Sequence, residues 1–185
     1  MKVERYIEIR PGSVVLNGQA IEVNETGDKM LVELYRRFVG DYPKFFKMDT
    51  LSRLGFIAAE MLVKSTEYRV QNTDRFSDAA VILANKSASI KNDTDYLATI
   101  TNGNYYPSPA LFVYTLPNIV TGEIAIRHHI QGETAFYILE NQEQLKQIIQ
   151  ATLTAHRSPL TLIAGWCECD KPNSYYAKIQ MIWNN

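Results

Sequence analysis

The chain has 185 residues, of which 46% are hydrophobic and 21% are charged, so it can bury one sizeable core. We expect a single domain over residues 1–185. Its 19 Lys and Arg residues nearly balance its 20 Asp and Glu residues, and this balance provides no long-range attraction for nucleic acid or anionic membranes. Apolar runs are far shorter than the roughly 20 residues of a membrane span, and the first residues lack the apolar centre of a signal peptide. We therefore expect a soluble, cytoplasmic protein that binds neither nucleic acid nor membrane.

The first third of the sequence predicts a β-hairpin and two helices. The runs SVVL and QAIEV flank Asn17-Gly18, a dipeptide that supplies the positive φ angles of a type I′ turn. From Gly27 to Gly40, apolar residues recur at helical spacing, which predicts an amphipathic helix. A second amphipathic helix follows, with Asp49 or Thr50 as its N-cap.

The middle of the sequence predicts a buried strand and a broken helical stretch. Residues 79–85, AAVILAN, are short and apolar, which favours a central strand covered on both faces. A loop and a short helix follow. Ser108 is a candidate N-cap, and Pro117 ends the helix after it and begins a new one through NIVTGEIAIRHH. Gly122 lies inside that helix, and either a close backbone approach or simple tolerance of its cost explains it.

The last third predicts three strands and a helix. ETAFYIL has the composition of a second buried strand, and NQEQLKQIIQATLTAH that of an amphipathic helix. PLTLIAGWC is apolar throughout, whereas SYYAKIQMIW alternates between apolar and polar residues. Continuous runs followed by one alternating run indicate parallel central strands with an antiparallel edge strand. Strands interleaved with helices predict a layered α/β domain.

Four segments, in this order, resemble the N-terminal half of β-ketoacyl synthases, which have a thiolase-like fold. They are KMDTLSRLGFIAAEML, DAAVILAN, PSPALFVYTLPNIVTGEIAIRHHIQGE and LTLIAGWCEC. The resemblance covers most of the chain from Lys47 to Asp170. It implies a three-layer thiolase-like half-fold, in which a five-stranded mixed sheet carries helices on both faces, plus the N-terminal β-hairpin.

The resemblance also gives the position of the family's nucleophile. Active members place a Cys at the N-terminus of a buried helix, where the helix dipole favours the thiolate. Counting from Gly132 through ETAFYILEN brings this position to Asn141, and an amide cannot form the acyl thioester. The family's catalytic His residues belong to its C-terminal half, so we do not expect this chain to supply them. Glu133 stands where the family usually has Pro.

The cysteines and histidines offer no obvious replacement for that nucleophile. Cys167 and Cys169 lie two residues apart on a predicted strand, and we interpret them as buried or half-buried thiols on one face. His128, His129 and His156 lie at predicted helix ends, and we expect solvated side chains there.

Two further groups of residues are weaker candidates for binding. A set of aromatic side chains with a nearby asparagine could line an acyl or aryl pocket, although aromatic core packing is the favoured alternative. Lys44 and Lys47, beside two Phe residues, could meet an acidic carrier protein or simply form a basic loop anchored by two buried rings. The pocket candidates are Tyr105, Tyr106, Phe112, Tyr114 and Asn118.

A set of acidic residues could suggest a cation site, but a solvated loop is the favoured interpretation because the Gly and terminal Glu of a calcium loop are missing. We assign no metal and no cofactor. The acidic residues are Asp74, Asp78, Asp93 and Asp95.

The leading hypothesis is a non-catalytic subunit resembling a chain-length factor, in fatty-acid or polyketide-type pigment synthesis. We expect a homodimer or a heterodimer with a full-length β-ketoacyl synthase, and acyl carrier protein is a further candidate partner. The alternatives are 3-oxoacyl synthase activity from a composite site completed by a partner chain, and a small-molecule binding module. In the family, dimers form through the strand that here corresponds to Glu133, Thr134, Ala135, Phe136, Tyr137, Ile138 and Leu139.

Overall fold

The computed structural model describes residues 2–66, 79–101, 103, 106–156 and 160–184. These residues form seven strands and six α-helices, with a 3₁₀ turn at Pro43–Lys47. The strands are β1 Lys2–Arg10, β2 Ser13–Leu16, β3 Gln19–Ile21, β4 Ala80–Asn85, β5 Thr134–Ile138, β6 Leu160–Lys171 and β7 Ser174–Asn184. The helices are α1 Gly27–Phe38, α2 Thr50–Lys64, α3 Ile90–Leu97, α4 Pro109–Val113, α5 Ile119–His128 and α6 Gln142–Ala155.

All seven strands belong to one mixed sheet with the order β3-β2-β1-β7-β6-β4-β5. β4 pairs in parallel with both β5 and β6, and the remaining pairs are antiparallel. The α/β fold is confirmed, but the prediction of five strands is wrong because β1 and the hairpin extend the sheet beyond β7. For the same reason β7 is not the edge strand that its alternating pattern predicted. In β1, Ile7 and Ile9 are buried and alternate with Glu8.

Local signals set most of the element boundaries. Asn17 and Gly18 have φ angles of 52° and 84°, which confirms the predicted hairpin turn between β2 and β3. The Asp49 carboxylate accepts a hydrogen bond from the Ser52 N–H at 3.0 Å and caps α2. At α4, the Ser108 hydroxyl plays the same capping role.

Helices cover both faces of the sheet, as the resemblance implied. On one face, α1, α2 and α5 enclose the larger core, in which α2 is buried along almost its whole length. A side chain at Gly55 of α2 would overlap Val120 of α5, so this glycine allows the two helices to pack closely. On the other face, α6 covers β4 and β6 with Leu145, Ile149 and Leu153.

Two side chains of α3 fix the position of α4. The Ser89 hydroxyl, at the start of α3, donates a hydrogen bond to the Thr115 carbonyl at 2.7 Å. The Asn92 amide donates to the Leu111 carbonyl at 2.8 Å. The two short helices are therefore held together by buried side-chain hydrogen bonds.

Within the chain, the structure excludes one of the two explanations given for Gly122. An added Cβ at Gly122 would have no atom within 4 Å, so a close backbone approach does not explain this residue. The close approach occurs instead at Gly165 of β6. A Cβ there would overlap the Lys178 carbonyl oxygen and lie 2.6 Å from the Ile179 Cα atom of β7.

Strand β5 lies at the edge of the sheet. Among the strands that the structure describes it pairs only with β4, and its residues are half-buried or exposed, so the prediction of a buried strand is wrong. The composition of ETAFYIL nevertheless has a cause in the fold, because Phe136 packs against the core on one face of the sheet and Tyr137 against α6 on the other.

Candidate functional site

Asn141 lies at the N-cap of α6, directly after the edge strand. Its carboxamide oxygen accepts hydrogen bonds from the Glu143 and Gln144 N–H groups, both at 3.1 Å. In return, the Gln144 side chain accepts from the N–H groups of Glu140 at 2.9 Å and Asn141 at 3.4 Å. This reciprocal capping box satisfies the first backbone donors of the helix. The carboxamide at this helix start therefore has a capping role, and its correspondence to a family nucleophile stays a prediction.

The two thiols lie elsewhere, on β6. Cys167 and Cys169 are both buried, which confirms their interpretation as core thiols. Burial raises the pKa of Cys167 well above its ordinary value and raises the pKa of Cys169 to about 12. A thiol attacks as the thiolate, so neither side chain is activated near neutral pH.

This burial predicts slow alkylation of both thiols. We expect iodoacetamide at pH 8 to leave Cys167 and Cys169 unmodified in the folded chain and to modify both in urea, with intact-mass spectrometry as the measurement. Rapid modification of either thiol without denaturant would contradict its burial in the core.

The histidine prediction is wrong for His128. Its Nε2 atom lies 3.0 Å from Glu60 Oε1, and the carboxylate of Glu60 is buried in α2. The packing of α5 against α2 brings the two side chains together, so His128 is largely buried instead of solvated. His129 is exposed and ends α5 with a φ angle of 54°, and His156 caps the end of α6.

Glu60 is the centre of an ion cluster between α2 and α5. The residue is only 1% exposed, and Arg127 Nε lies 3.1 Å from Oε1 while Lys64 Nζ lies 3.5 Å from Oε2. Arg127 also reaches Asp41 at 2.6 Å. Burial raises the pKa of Glu60, but the hydrogen bonds and charges of His128 and Arg127 outweigh this effect and hold the pKa at about 2. Glu60 therefore stays ionised at neutral pH, and the cluster links α2 to α5 as a structural group.

The described members of the predicted aromatic set do not line a common pocket. Tyr114 is buried in the core, which fits the packing alternative, whereas Tyr106 and Phe112 are exposed. Asn118 is exposed at the start of α5. Tyr105 lies outside the described residues. Among the described members of the set, the structure places no shared concavity.

The basic loop before α2 is anchored by one buried ring. Phe45 is fully buried, whereas Phe46 is half-exposed, so the expectation of two buried rings holds for one of them. Lys44 forms an ion pair with the buried Glu123 of α5. This pair gives Lys44 a structural role, and Lys47 lies on the wall of a polar cavity.

The acidic residues that could suggest a cation site are not grouped as ligands. Asp93 and Asp95 lie on α3, where Asp95 pairs with Lys91 at 2.6 Å. Asp74 and Asp78 lie outside the described residues. Within the described ranges, no group of three or more His, Cys, Asp and Glu side chains is arranged to hold a metal ion.

The polar cavity beside Lys47 was not anticipated from the sequence. It has a volume of about 200 Å³ and lies between the starts of α1 and α2 and the helices α3 and α4, and we call it the α3 cavity. Its wall includes Asn92, which is 2% exposed, and Asp28, and each has a side-chain oxygen without a hydrogen-bond partner. No local pattern distinguishes Asn92 from the more exposed Asp93 and Asp95 beside it.

None of the helices that the structure describes has the length and apolar character needed to cross a membrane.

No protein-family model and no curated protein sequence matches the chain.

Solved structures of ketosynthase systems share the fold. The ishigamide ketosynthase/chain length factor superimposes with a TM-score of 0.66 at 14% identity, over 99% of this chain and 61% of that one. The ketosynthase ApeO in complex with its chain length factor ApeC, from Xenorhabdus doucetiae, gives a TM-score of 0.58 at 11% identity, over 100% of this chain and 79% of that one. The AntDE:AntF structure, a type II PKS acyl-carrier protein in complex with its ketosynthase, gives a TM-score of 0.58 at 9% identity, over 96% of this chain and 61% of that one.

This chain thus spans about three fifths of the length of two of these three chains. At such low identities the likeness concerns the fold alone. The chain has the mixed α/β fold of ketosynthase and chain-length-factor proteins.

Proposed function

We propose that the chain is a non-catalytic accessory subunit that resembles a chain-length factor and pairs with a ketosynthase. The observation that carries the proposal is the helix start after β5, where a carboxamide engaged in capping stands in a ketosynthase-like fold. If the correspondence that the family resemblance implies is right, covalent acyl transfer would need a sulfur atom at this place. Polyketide-type or fatty-acid-type synthesis, in the cytoplasm and with an acyl carrier protein nearby, is the setting that the proposal implies.

The environment of the remaining thiols supports a non-catalytic role. Cys167 Sγ lies 3.8 Å from the Leu51 carbonyl of α2, inside the larger core, and the residue is fully buried. Cys169 is buried on the same face of β6. A composite site completed by a partner would therefore have to take its nucleophile from that partner.

The edge of β5 that no described strand covers supports pairing with another chain. The Glu133 carbonyl accepts from the Val81 N–H, and the Leu139 N–H donates to the Asn85 carbonyl, both at 2.8 Å. Successive residues of a strand direct their backbone groups to opposite sides, so the residues between these bonds present every second N–H and C=O to the open edge. The residues whose backbone N–H and C=O groups point to the open edge are Thr134, Phe136 and Ile138. A partner strand, from a ketosynthase or a second copy, would satisfy them.

A charged residue placed on the edge of β5 tests the proposal. We expect the native chain to form a stable dimer with a ketosynthase from the same cell, or with itself, by size-exclusion chromatography with light scattering. Ile138→Lys should weaken the association at least tenfold, because a lysine on an edge strand opposes the approach of another strand. Ile90→Lys is the matched control, since Ile90 is 50% exposed and Ile138 is 51% exposed, and Ile90 lies on α3 away from the edge.

Three results would count against the proposal. One is a wild-type chain that stays monomeric and binds no ketosynthase. Another is an Ile138→Lys variant that associates as tightly as the Ile90→Lys variant. The third is an acyl adduct on either thiol of this chain, detected by mass spectrometry after incubation of the complex with an acyl thioester.

A further inference from the structure

We propose that α5 forms a second contact with the ketosynthase partner, in which α5 packs against the partner's own helix beside the joined edge strands. This contact rests on the proposed pairing through β5, and it specifies which part of the partner covers α5. Three features of the structure point to it: the direction of the charged side chains of α5, the open space around Gly122, and the position of α5 at the edge of the sheet.

The Glu and Arg side chains of α5 are turned away from solvent. Glu123 is 4% exposed, and Arg127 lies 3.1 Å from the buried Glu60 of α2. The outer side of the helix carries Gly122 and Ile126 instead, and Ile126 is 61% exposed. A surface helix normally directs its charged residues to water, whereas a helix that is uncharged on its outer side is normally covered. The outer side of α5 therefore has the character of a contact surface.

Gly122 and Ile126 lie on the side of α5 that faces away from α2. Val120 and Ile124 are buried in the core, and Gly55 of α2 lies against Val120. Residues two positions apart on an α-helix are separated by about 200° of rotation, so the directions at 122 and 126 are nearly opposite to those at 120 and 124. Among the described helices, only α2 makes extensive contact with α5. The side of α5 opposite α2 is therefore open to another subunit.

Gly122 forms a recess on this open side. A Cβ added there would meet no atom within 4 Å, so nothing within the chain explains a glycine in the helix interior, where alanine is more favourable. Gly55 shows the use of such a recess inside the chain, because it admits the Val120 side chain of α5. We infer that Gly122 admits a side chain of the partner in the same way.

The position of α5 at the edge of the sheet sets the distance to the partner helix. α5 packs on both β4 and β5, so its axis lies over the space between these two strands. A ketosynthase shares this fold and carries a helix in the same position relative to its own edge strand. Strands in a sheet are about 4.8 Å apart, so a two-fold axis that joins the edge strands would bring the two helix axes to about 10 Å. Packed helices lie at about this distance.

This arrangement defines the chemistry of the partner helix. An apolar side chain of the partner would fill the recess at Gly122, and the partner helix would cover Ile126 one turn further along. A charged residue opposite Ile126 would lose its water without gaining an ion pair, which is unfavourable. We therefore expect the contacting side of the partner helix to be uncharged.

Gly122→Leu tests the helix contact. The variant should unfold in urea at least as late as the wild type, because the Cβ meets no atom of the chain and leucine favours the helix. It should nevertheless associate with the ketosynthase at least tenfold more weakly, measured by size-exclusion chromatography with light scattering over a dilution series. Ile126→Glu should also weaken the association at least tenfold. Gln147→Leu, on the exposed side of α6, is the control and should associate as the wild type does.

The outcomes separate the helix contact from the strand pairing. The helix contact is overturned, and the pairing through β5 stands, if Ile138→Lys weakens the association while both α5 variants associate like Gln147→Leu. Both are overturned if the wild-type chain binds no ketosynthase. If Gly122→Leu does not fold, Ile126→Glu decides, because Ile126 is exposed in the chain and tolerates the change.

Discussion

Replacing Gly165 by alanine should destabilise the fold more than any other single-methyl change discussed for this chain. The added Cβ would overlap the Lys178 carbonyl oxygen and lie 2.6 Å from the Ile179 Cα atom. Both are backbone atoms of β7, which is paired with β6 on one side and β1 on the other, so β7 cannot shift without breaking hydrogen bonds. Overpacking usually costs about 1–3 kcal/mol, and we expect a loss of about 3 kcal/mol in the free energy of unfolding in urea.

Gly122→Ala is the matched control, since it adds the same methyl group where a Cβ meets no atom within 4 Å. Alanine is more favourable than glycine inside a helix, so we expect a gain of about 0.5–1 kcal/mol in the same measurement. Equal effects of the two substitutions would contradict the tight contact between β6 and β7.

Glu60→Gln should have the second large effect. The substitution keeps the shape of the side chain but removes the negative charge that Arg127 and Lys64 contact. Removing one partner of a buried ion pair typically costs about 3–5 kcal/mol, because the other charge remains without compensation. We expect a loss of about 3 kcal/mol in the free energy of unfolding at pH 7. Asp41→Asn, which alters the exposed partner of Arg127, should cost less than about 1 kcal/mol.

The same carboxylate predicts a pH dependence. The pKa of Glu60 is about 2 in the folded chain, against an ordinary value of 4.5. A depressed folded pKa gives stabilisation that is fully present above about pH 4.5 and is lost as the pH falls towards 2. The wild type should therefore lose its advantage over Glu60→Gln across this interval. A constant difference between the two proteins from pH 5 to pH 2.5 would show that Glu60 is not held ionised.

Much of the fold follows from local signals in the sequence. The turn at Asn17-Gly18 needs positive φ angles that few other residue pairs adopt, and the apolar run of β4 has no exposed position. The cap at Ser108 follows from the sequence, and for α2 the structure selects Asp49 from the two predicted candidates, Asp49 and Thr50, because N-cap chemistry lies within three residues of the helix start.

The position of β1 depends on a distant partner. Ile7 and Ile9 alternate with charged residues, as in any half-buried strand, and this pattern does not indicate which strand lies beside it. Only the pairing with β7 makes the hairpin part of the main sheet. The five-stranded prediction therefore failed on a non-local contact.

The candidate site was predicted less completely than the fold. Asn141 was placed at a helix start because the family spacing and the helical pattern agree there. The contact of His128 with Glu60 arises from the packing of α5 on α2, and the buried orientation of Asn92 arises from its bond to α4. Such contacts between elements leave no periodic pattern in the sequence, so each residue resembled an ordinary helix-surface residue.

The pairing of β1 with β7 also affects how the chain can fold during synthesis. Ile7 lies opposite Ile179, so the two strands are separated by about 170 residues along the chain. Of its two neighbours in the sheet, β1 can pair only with β2 until β7 has been translated, and its other edge stays unpaired until then. The nascent chain therefore carries an open strand edge until β7 has been synthesised.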